Sequence, residues 1–315
     1  MVVTDLHGDW PLYERYRDIF LSLRDQRLAD TLIITGDFIH SDGPPGSDRS
    51  LEITLDLLQL QQMLGEHLIV LLGNHELPHI YHFPLSKGSR TYTPSFEAIL
   101  GDHRHAVLDF FDKRPFYVRT RAGVSLCHAG AFAKASDPGA MAKLQNFSHQ
   151  AILQSAAAQV PLENRAAFKE KLAEASGMPY AYLARTYLAA SDPDDPRYDD
   201  YLIGALATAH PDFELLWSAL FTANEREYGM QVYTEHVRAL LKALSAAYTP
   251  QHVLVSGHIG CRGGVRILAE GQQLRLASGA HAHPYNTARY LLFNAGQPVG
   301  QAEALKSGLG CVFES

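Results

Sequence analysis

Asp5, His7 and Asp9 fall within five consecutive positions of VVTDLHGDW, residues 2–10. Turn formation asks for an Asp or a Gly, not for a histidine between two carboxylates. Comparable cargo recurs further along: Gly36-Asp37 in TGDFIH, Gly73-Asn74-His75-Glu76 in LLGNHE, His128 in CHAGA and Gly257-His258 in SGHIG. Gathered in one place, these turns supply two Asp carboxylates, an Asn carbonyl and several imidazoles. Carboxylates crowded together without a cation repel and raise one another's pKa, and a pair of divalent metals removes that cost. Oxygen and nitrogen donors without thiolate suit Mn, Fe or Zn rather than calcium, which prefers oxygen alone. Two metals about 3.5–4 Å apart, sharing one carboxylate, polarise phosphoryl oxygens and lower the pKa of a shared water to near neutrality. A histidine that is not a ligand then protonates the leaving oxygen. The chemistry this spacing points to is phosphate-ester hydrolysis without a nucleophilic side chain.

The elements around the turns explain how they would meet. MVVT, TLIITGD, HLIVLLGNHE, GVSLCHAGA and HVLVSGHIG are short apolar runs, each ending in one of the polar turns. WPLYERYRDIFLSLRDQ places Leu12, Tyr16, Ile19, Phe20 and Leu23 at helical spacing, with Pro11 tolerated in a first turn. RSLEITLDLLQLQQML reads as a second helix beyond the loop HSDGPPGSD. Strands alternating with helices predict an α/β protein with parallel strands, whose ligands gather beyond the strands' carboxyl ends. VRILAE, LRLAS and YLLFN add short strands, so the C-terminal part is β-rich. Residues 134–212 are rich in Ala, Leu, Glu and Lys and broken by Pro161, Pro179, Pro193 and Pro196. They read as a helical insertion and cap candidate within a single domain spanning 1–315, with SDPDDPRYDD an exposed loop. A rigid helix pair used for oligomerisation is the alternative for that segment.

With 315 residues, 46% hydrophobic and 19% charged, the chain has the composition of an ordinary globular protein with a sizeable core. A net charge of −7 gives no reason to expect contact with a nucleic-acid backbone. Cys127, Cys261 and Cys311 are widely spaced, without a CxxC pair, and fit reduced thiols of the cytoplasm. There is no signal-peptide pattern and no apolar run of membrane-spanning length, so no membrane partner is expected.

TDLHGDW, TGDFIH, LLGNHE, CHAGA and SGHIG resemble the five signature blocks of the calcineurin-like metallophosphoesterases. GNHE with its Glu, and ELLWS followed by NEREYG, are similar to the phosphoprotein (serine/threonine) phosphatase branch. The resemblance covers residues 2–130 and about 213–295. It implies an αββα sandwich of two mixed sheets flanked by helices. It implies Asp5 and His7 on a first metal, Asp37 as the bridge, and Asn74, His128 and His258 on a second. His75 would be the general acid and Arg226 the phosphate clamp, a task that suits a bidentate guanidinium. The cofactors implied are two metal ions, Mn or Fe above all, with Zn possible.

This sequence also departs from the pattern. The branch has an Asp-Arg pair where His40-Ser41 stand; Asp42 is a candidate for the first role, and Arg49 or Arg262, which read as surface residues, for the second. An acidic residue is expected near Ala219-Leu220. Many family members carry a second His two places after GH, where this chain has Gly260, and that leaves the first metal with water in its shell. His281 and His283 of SGAHAHPY follow a strand at the same rim, as pocket lining or as exposed loop residues. Asp9 reads as a partner of the following helix's positive end, with orientation of His7 as the sharper alternative. MVVT is short for a first strand, so either the natural start lies upstream or a neighbouring element covers that edge. The function expected is a binuclear-metal phosphomonoesterase acting on a phosphoprotein or a small phosphorylated molecule through metal-bound hydroxide. A phosphodiester or nucleotide-polyphosphate hydrolase on the same site, and an inactive metal-binding module, are the alternatives.

Overall fold

The computed structural model describes residues 1–44 and 46–313. Fourteen short strands occur among them, in chain order: β1 (Val2–Val3), β2 (Leu32–Ile34), β3 (Leu68–Val70), β4 (Ser86–Lys87), β5 (Arg90–Thr91), β6 (Tyr117–Arg119), β7 (Val124–Cys127), β8 (Val253–Ser256), β9 (Cys261–Arg262), β10 (Val265–Leu268), β11 (Gln273–Leu276), β12 (Ala282–His283), β13 (Arg289–Leu291) and β14 (Leu309–Cys311). The chain divides into two compact units, one built from Met1–Asn74, Arg114–Gln145 and Trp217–Ser315, the other from His75–Lys113 and Asn146–Leu216.

The first unit holds two five-stranded mixed sheets, in the orders β14-β13-β1-β2-β3 and β10-β11-β8-β7-β6. β1, β2 and β3 run parallel, in register Val2 to Ile33 and Ile34 to Val70, while β13 pairs antiparallel with β1. β7, β8 and β11 are likewise parallel, and β6 and β10 close the second sheet antiparallel. Side chains from both sheets share one core, including Val2, Ile33 and Leu291 from one and Val124, Leu126, Val255 and Leu274 from the other. The helix Ser50–Leu64 packs on β3 and the helix Met230–Ser245 on β8, which completes the sandwich that the resemblance implies. β1 is therefore an interior strand, and β13 is the element that covers its edge.

Asp9 is the N-cap of the helix Trp10–Asp25: its Oδ1 accepts the Leu12 amide at 3.1 Å, and Pro11 sits in the first turn, where no amide is needed. The buried face is Leu12, Tyr13, Tyr16 and Phe20; Ile19 and Leu23, expected on it, are partly exposed at its margin.

The second unit is helical, apart from the hairpin of β4 and β5. One of its apolar clusters gathers Val160, Tyr180, Ala184, Leu188, Tyr198 and Leu202. The helical stretch expected over 134–212 divides between the units, since the helix Pro138–Gln145 belongs to the first. SDPDDPRYDD is exposed at residues 191–194 and at Pro196; Tyr198 is buried, and the Tyr180 hydroxyl donates to its carbonyl at 2.6 Å. Asp199 accepts from Arg165 at 2.7 Å and also pairs with Lys169, so the acidic tail of that loop is tied to the helix Arg165–Ser176. Among the described residues no helix is long and apolar enough to cross a membrane.

Candidate metal centre

Five polar turns leave the carboxyl ends of β1, β2, β3, β7 and β8, which are strands of the first unit. Backbone hydrogen bonds knit them together: the Asp5 and His7 amides donate to the carbonyls of Gly36 and Asp37 at 3.3 and 3.0 Å, and the Gly257 amide donates to His128 at 2.8 Å. Two glycines let them close up. A side chain on Gly36, which has φ +90°, would lie 2.5 Å from the Gly73 nitrogen, and one on Gly257 would collide with the Asp5 carboxylate. Asp5, His7, Asp37 and His258 themselves have φ between 46° and 66°. Left-handed backbone at non-glycine residues costs on the order of 1 kcal/mol each and concentrates at functional sites.

The side chains converge. Asp37 Oδ2 lies 3.9 Å from His7 Nε2 and 3.4 Å from His128 Nε2, and so stands between the two rings. His128 Nε2 is also 2.8 Å from Asn74 Oδ1 and 3.2 Å from His258 Nδ1. Its other ring nitrogen, Nδ1, is 2.9 Å from the Thr35 carbonyl, which can only accept, so Nδ1 carries the proton. In the neutral ring Nε2 is then a lone pair facing an amide oxygen and a carboxylate oxygen. A further proton on Nε2 could serve one of these acceptors; a metal cation serves them together. The donor set fits a divalent ion on this ground. Within the first unit, two groups of described residues bring their ligand atoms within 4.8 Å of one another: Asp37, His128 and His258, and Asp5, His7 and His281.

Electrostatics favour the same species. Burial alone would raise the Asp5 carboxyl, yet the charge and hydrogen bond of His281, with His128 and His7 behind it, hold it below the ordinary carboxylate range. Both Asp5 oxygens also accept the His258 amide, at 3.0 Å, and the Thr4 hydroxyl donates to Oδ2. Burial pushes His7 down despite the opposing charge of Asp37, and burial with the neighbouring His128 pushes His258 well below the usual imidazole value. Neutral imidazoles beside ionised carboxylates are the protonation states that bind metal. Cys127, next to His128, contributes no thiolate: burial pushes its thiol up to about 12.

Asp5, His7, Asp37, Asn74, His128 and His258 are thus brought together by the fold. His75 follows Asn74 in the chain but belongs to the helical unit, where its ring packs against Tyr92 at 5.3 Å. Arg226 is exposed on the short helix Glu225–Tyr228 and has no side-chain hydrogen bond or ion pair among the described residues. Asp42, Arg49 and Arg262 are exposed, and Arg49 pairs with Glu52 at 3.5 Å. The loop after β2 is organised by Asp48, which accepts the Ser41 and Ser50 amides at 3.3 and 2.9 Å. His281, which the sequence offered as pocket lining or as an exposed loop residue, takes its place beside Asp5 and His7. One feature was not singled out in the sequence at all. Arg275, a lone charge in the apolar strand LRLAS, is fully buried and grips Glu225 bidentately, which anchors the segment that carries Arg226.

A layered α/β protein with a carboxylate–imidazole centre beyond the carboxyl ends of its strands is the class that fold and site define. Residues 1–166, more than half of the chain, match the family described as calcineurin-like phosphoesterase, and the chain belongs to that family. It is a metal-dependent hydrolase of phosphoric esters. No curated protein matches the sequence. Among solved structures it is similar to a protein serine/threonine phosphatase from Saccharomyces cerevisiae with similarity to human phosphatase PP5, at 15% identity over 94% of this chain and 69% of that one, with a TM-score of 0.44. It is similar to a cold-active protein-tyrosine phosphatase of the psychrophile Shewanella sp. at 13% identity, 94% and 75% coverage and a TM-score of 0.43. A metallophosphoesterase from Sphaerobacter thermophilus shares 18% identity over 41% of this chain and 46% of its own, with a TM-score of 0.24.

Proposed function

We propose that this phosphoesterase is a binuclear-metal phosphomonoesterase of the phosphoprotein phosphatase type. The observation that carries the reading is Asp37 Oδ2, placed between His7 and His128 with a lone pair of His128 aimed toward it. In this proposal Asp5, His7 and Asp37 hold one ion, and Asp37, Asn74, His128 and His258 the other, with Mn or Fe preferred and Zn possible. Bound there, two such ions polarise the phosphoryl oxygens and activate a water. Thr35 fixes the His128 tautomer, and the His258 amide holds the Asp5 carboxylate in place, so both are oriented before a metal arrives. His75 protonates the leaving oxygen, a role that rests on its place in GNHE, and Arg226 takes the phosphate. We read 1–315 as one catalytic domain with 134–212 inserted, acting in the cytoplasm on a phosphoprotein or a small phosphomonoester.

Ser41 favours a second reading. It stands where the branch has a phosphate-gripping Arg, and its own atoms are engaged in the loop, its amide with Asp48 and its hydroxyl with the Gly43 amide. With less positive charge beside the phosphate, a diester or a dinucleotide polyphosphate becomes a competing substrate. The test is hydrolysis of p-nitrophenyl phosphate by metal-stripped protein resupplied with Mn, run beside Asp37→Asn, a diester and a dinucleotide polyphosphate. Mn-dependent monoester turnover lost in the variant supports the proposal. Preference for the diester or polyphosphate moves the assignment to the second reading, and inactivity with every divalent metal overturns both.

A further inference from the structure

Gly260 occupies the position where many metallophosphoesterases carry a second histidine, and the structure shows what fills that space. A side chain there would lie 2.8 Å from His283 Nε2 and 3.3 Å from the His281 carbonyl. β12 runs parallel to β9, with Ala282 opposite Cys261 and His283 opposite Arg262, and the Cys261 and Gly263 amides donate to the His281 and His283 carbonyls at 2.8 and 2.9 Å. The space beside Gly260 is taken by the His283 ring, with the His281 backbone just behind it.

The segment is tied to the DLHGD turn on both sides of His281. Before it, Gly279 packs so tightly on Asp5 that a side chain would come 2.4 Å from the Asp5 carbonyl oxygen. After it, the Tyr285 hydroxyl donates to Oδ2 of Asp9, the carboxylate whose other oxygen caps the first helix. Between these anchors the His281 ring meets the His7 ring edge-on, with centroids 5.0 Å apart, and its Nδ1 lies 3.2 Å from Asp5 Oδ1. Asp5, His7 and His281 each present a ligand atom within 4.8 Å of the others.

We infer that His281 is a protein ligand of the first metal, delivered by β12 in place of the histidine that Gly260 lacks. The assignment rests on the metal-centre reading above. It replaces the water expected in that coordination position and gives the ions matched sets of four residues: Asp5, His7, Asp37 and His281 for one, Asp37, Asn74, His128 and His258 for the other. An added imidazole shifts the first site toward Mn, Fe or Zn and away from Mg.

The test counts ions rather than turnover. Metal-stripped full-length wild type, His281→Phe, His281→Ala and His283→Ala are equilibrated with Mn at graded free concentrations; bound metal is measured by mass spectrometry, and the low-temperature electron paramagnetic resonance spectrum reports whether the bound ions are coupled. His281→Phe keeps a ring against His7 without a ligand atom, and thermal melts identify a variant that fails to fold. The inference expects two coupled Mn ions in wild type and in His283→Ala. Both His281 variants should lose one ion, with affinity weakened at least about tenfold, and show an uncoupled spectrum. Two coupled ions of wild-type affinity in His281→Phe would overturn it. A wild type that holds a single ion, lost in both His281 variants, would keep His281 as a ligand and defeat the binuclear reading. A single ion retained by those variants would defeat both.

Discussion

Both units bury a carboxylate against a histidine, and they do so with opposite consequences. In the helical unit Glu97 and His79 are both buried: His79 Nδ1 donates to Oε1 at 2.8 Å, Arg104 Nε donates to Oε2 at 2.9 Å, and Arg104 reaches on to Asp200 at 3.3 Å. Every oxygen of Glu97 meets a proton. In the sheet unit His128 Nε2 meets an amide oxygen, a carboxylate oxygen and another ring nitrogen, with its only neutral-state proton already given to Thr35. A buried polar cluster closed by its own donors supports the fold, whereas one whose acceptors converge suits a cation. The same residue types thus read as structure in one place and as a metal centre in the other.

The largest way to break this comparison is Asp37→Asn. If Asp37 serves both ions as proposed, removing its charge should lower Mn-dependent turnover on the order of 10³-fold. In metal-stripped protein it should leave the melting temperature no lower than wild type, because it relieves crowding among acceptors; scanning calorimetry of the stripped pair checks this. Glu97→Gln should behave in reverse, destabilising the protein by about 3 kcal/mol in urea unfolding with or without Mn, since it breaks a closed buried pair.

Acid sharpens the contrast. Burial alone would raise Glu97, but the hydrogen bond and charge of His79, with Arg104, hold it at about 2 against an ordinary 4.5. Between those values the unfolded chain binds the extra proton, so this contribution is complete above about 4.5 and lost as the pH falls toward about 2. Urea midpoints over that window should fall less steeply in Glu97→Gln than in wild type. His7 and His258 are lowered imidazoles, so in metal-stripped protein their loss of stability begins as the pH falls through about 6.5, the unfolded value, which bound metal should oppose. The smallest effect is Asp9→Ala, which removes the helix cap and the Tyr285 contact at a cost of about 1 kcal/mol.

The sandwich and the centre were largely legible because both are written locally. Apolar runs such as TLIITGD and HVLVSGHIG stop at the residues that must face the ligand, and a strand's carboxyl end is where an α/β sheet puts them. What the sequence hid is non-local. SGAHAHPY put His281 at the rim, but the ring reaches Asp5 through a two-residue strand paired with β9, which no local pattern announces. The helical region was readable as helical but not as divided between units, since amphipathic periodicity gives a buried face and not its partner. Tyr198 shows the limit of composition: surrounded by Asp and Pro it reads as exposed, yet its ring packs on Tyr180 with centroids 5.2 Å apart.

The central claim, that the acceptors around Asp37 are built for two cations, is tested most directly by anomalous diffraction at the Mn edge from crystals grown with Mn. Two peaks about 3.5–4 Å apart, flanking the Asp37 carboxylate, are the predicted result. A single peak, or none beside Asp37 at saturating Mn, would contradict it.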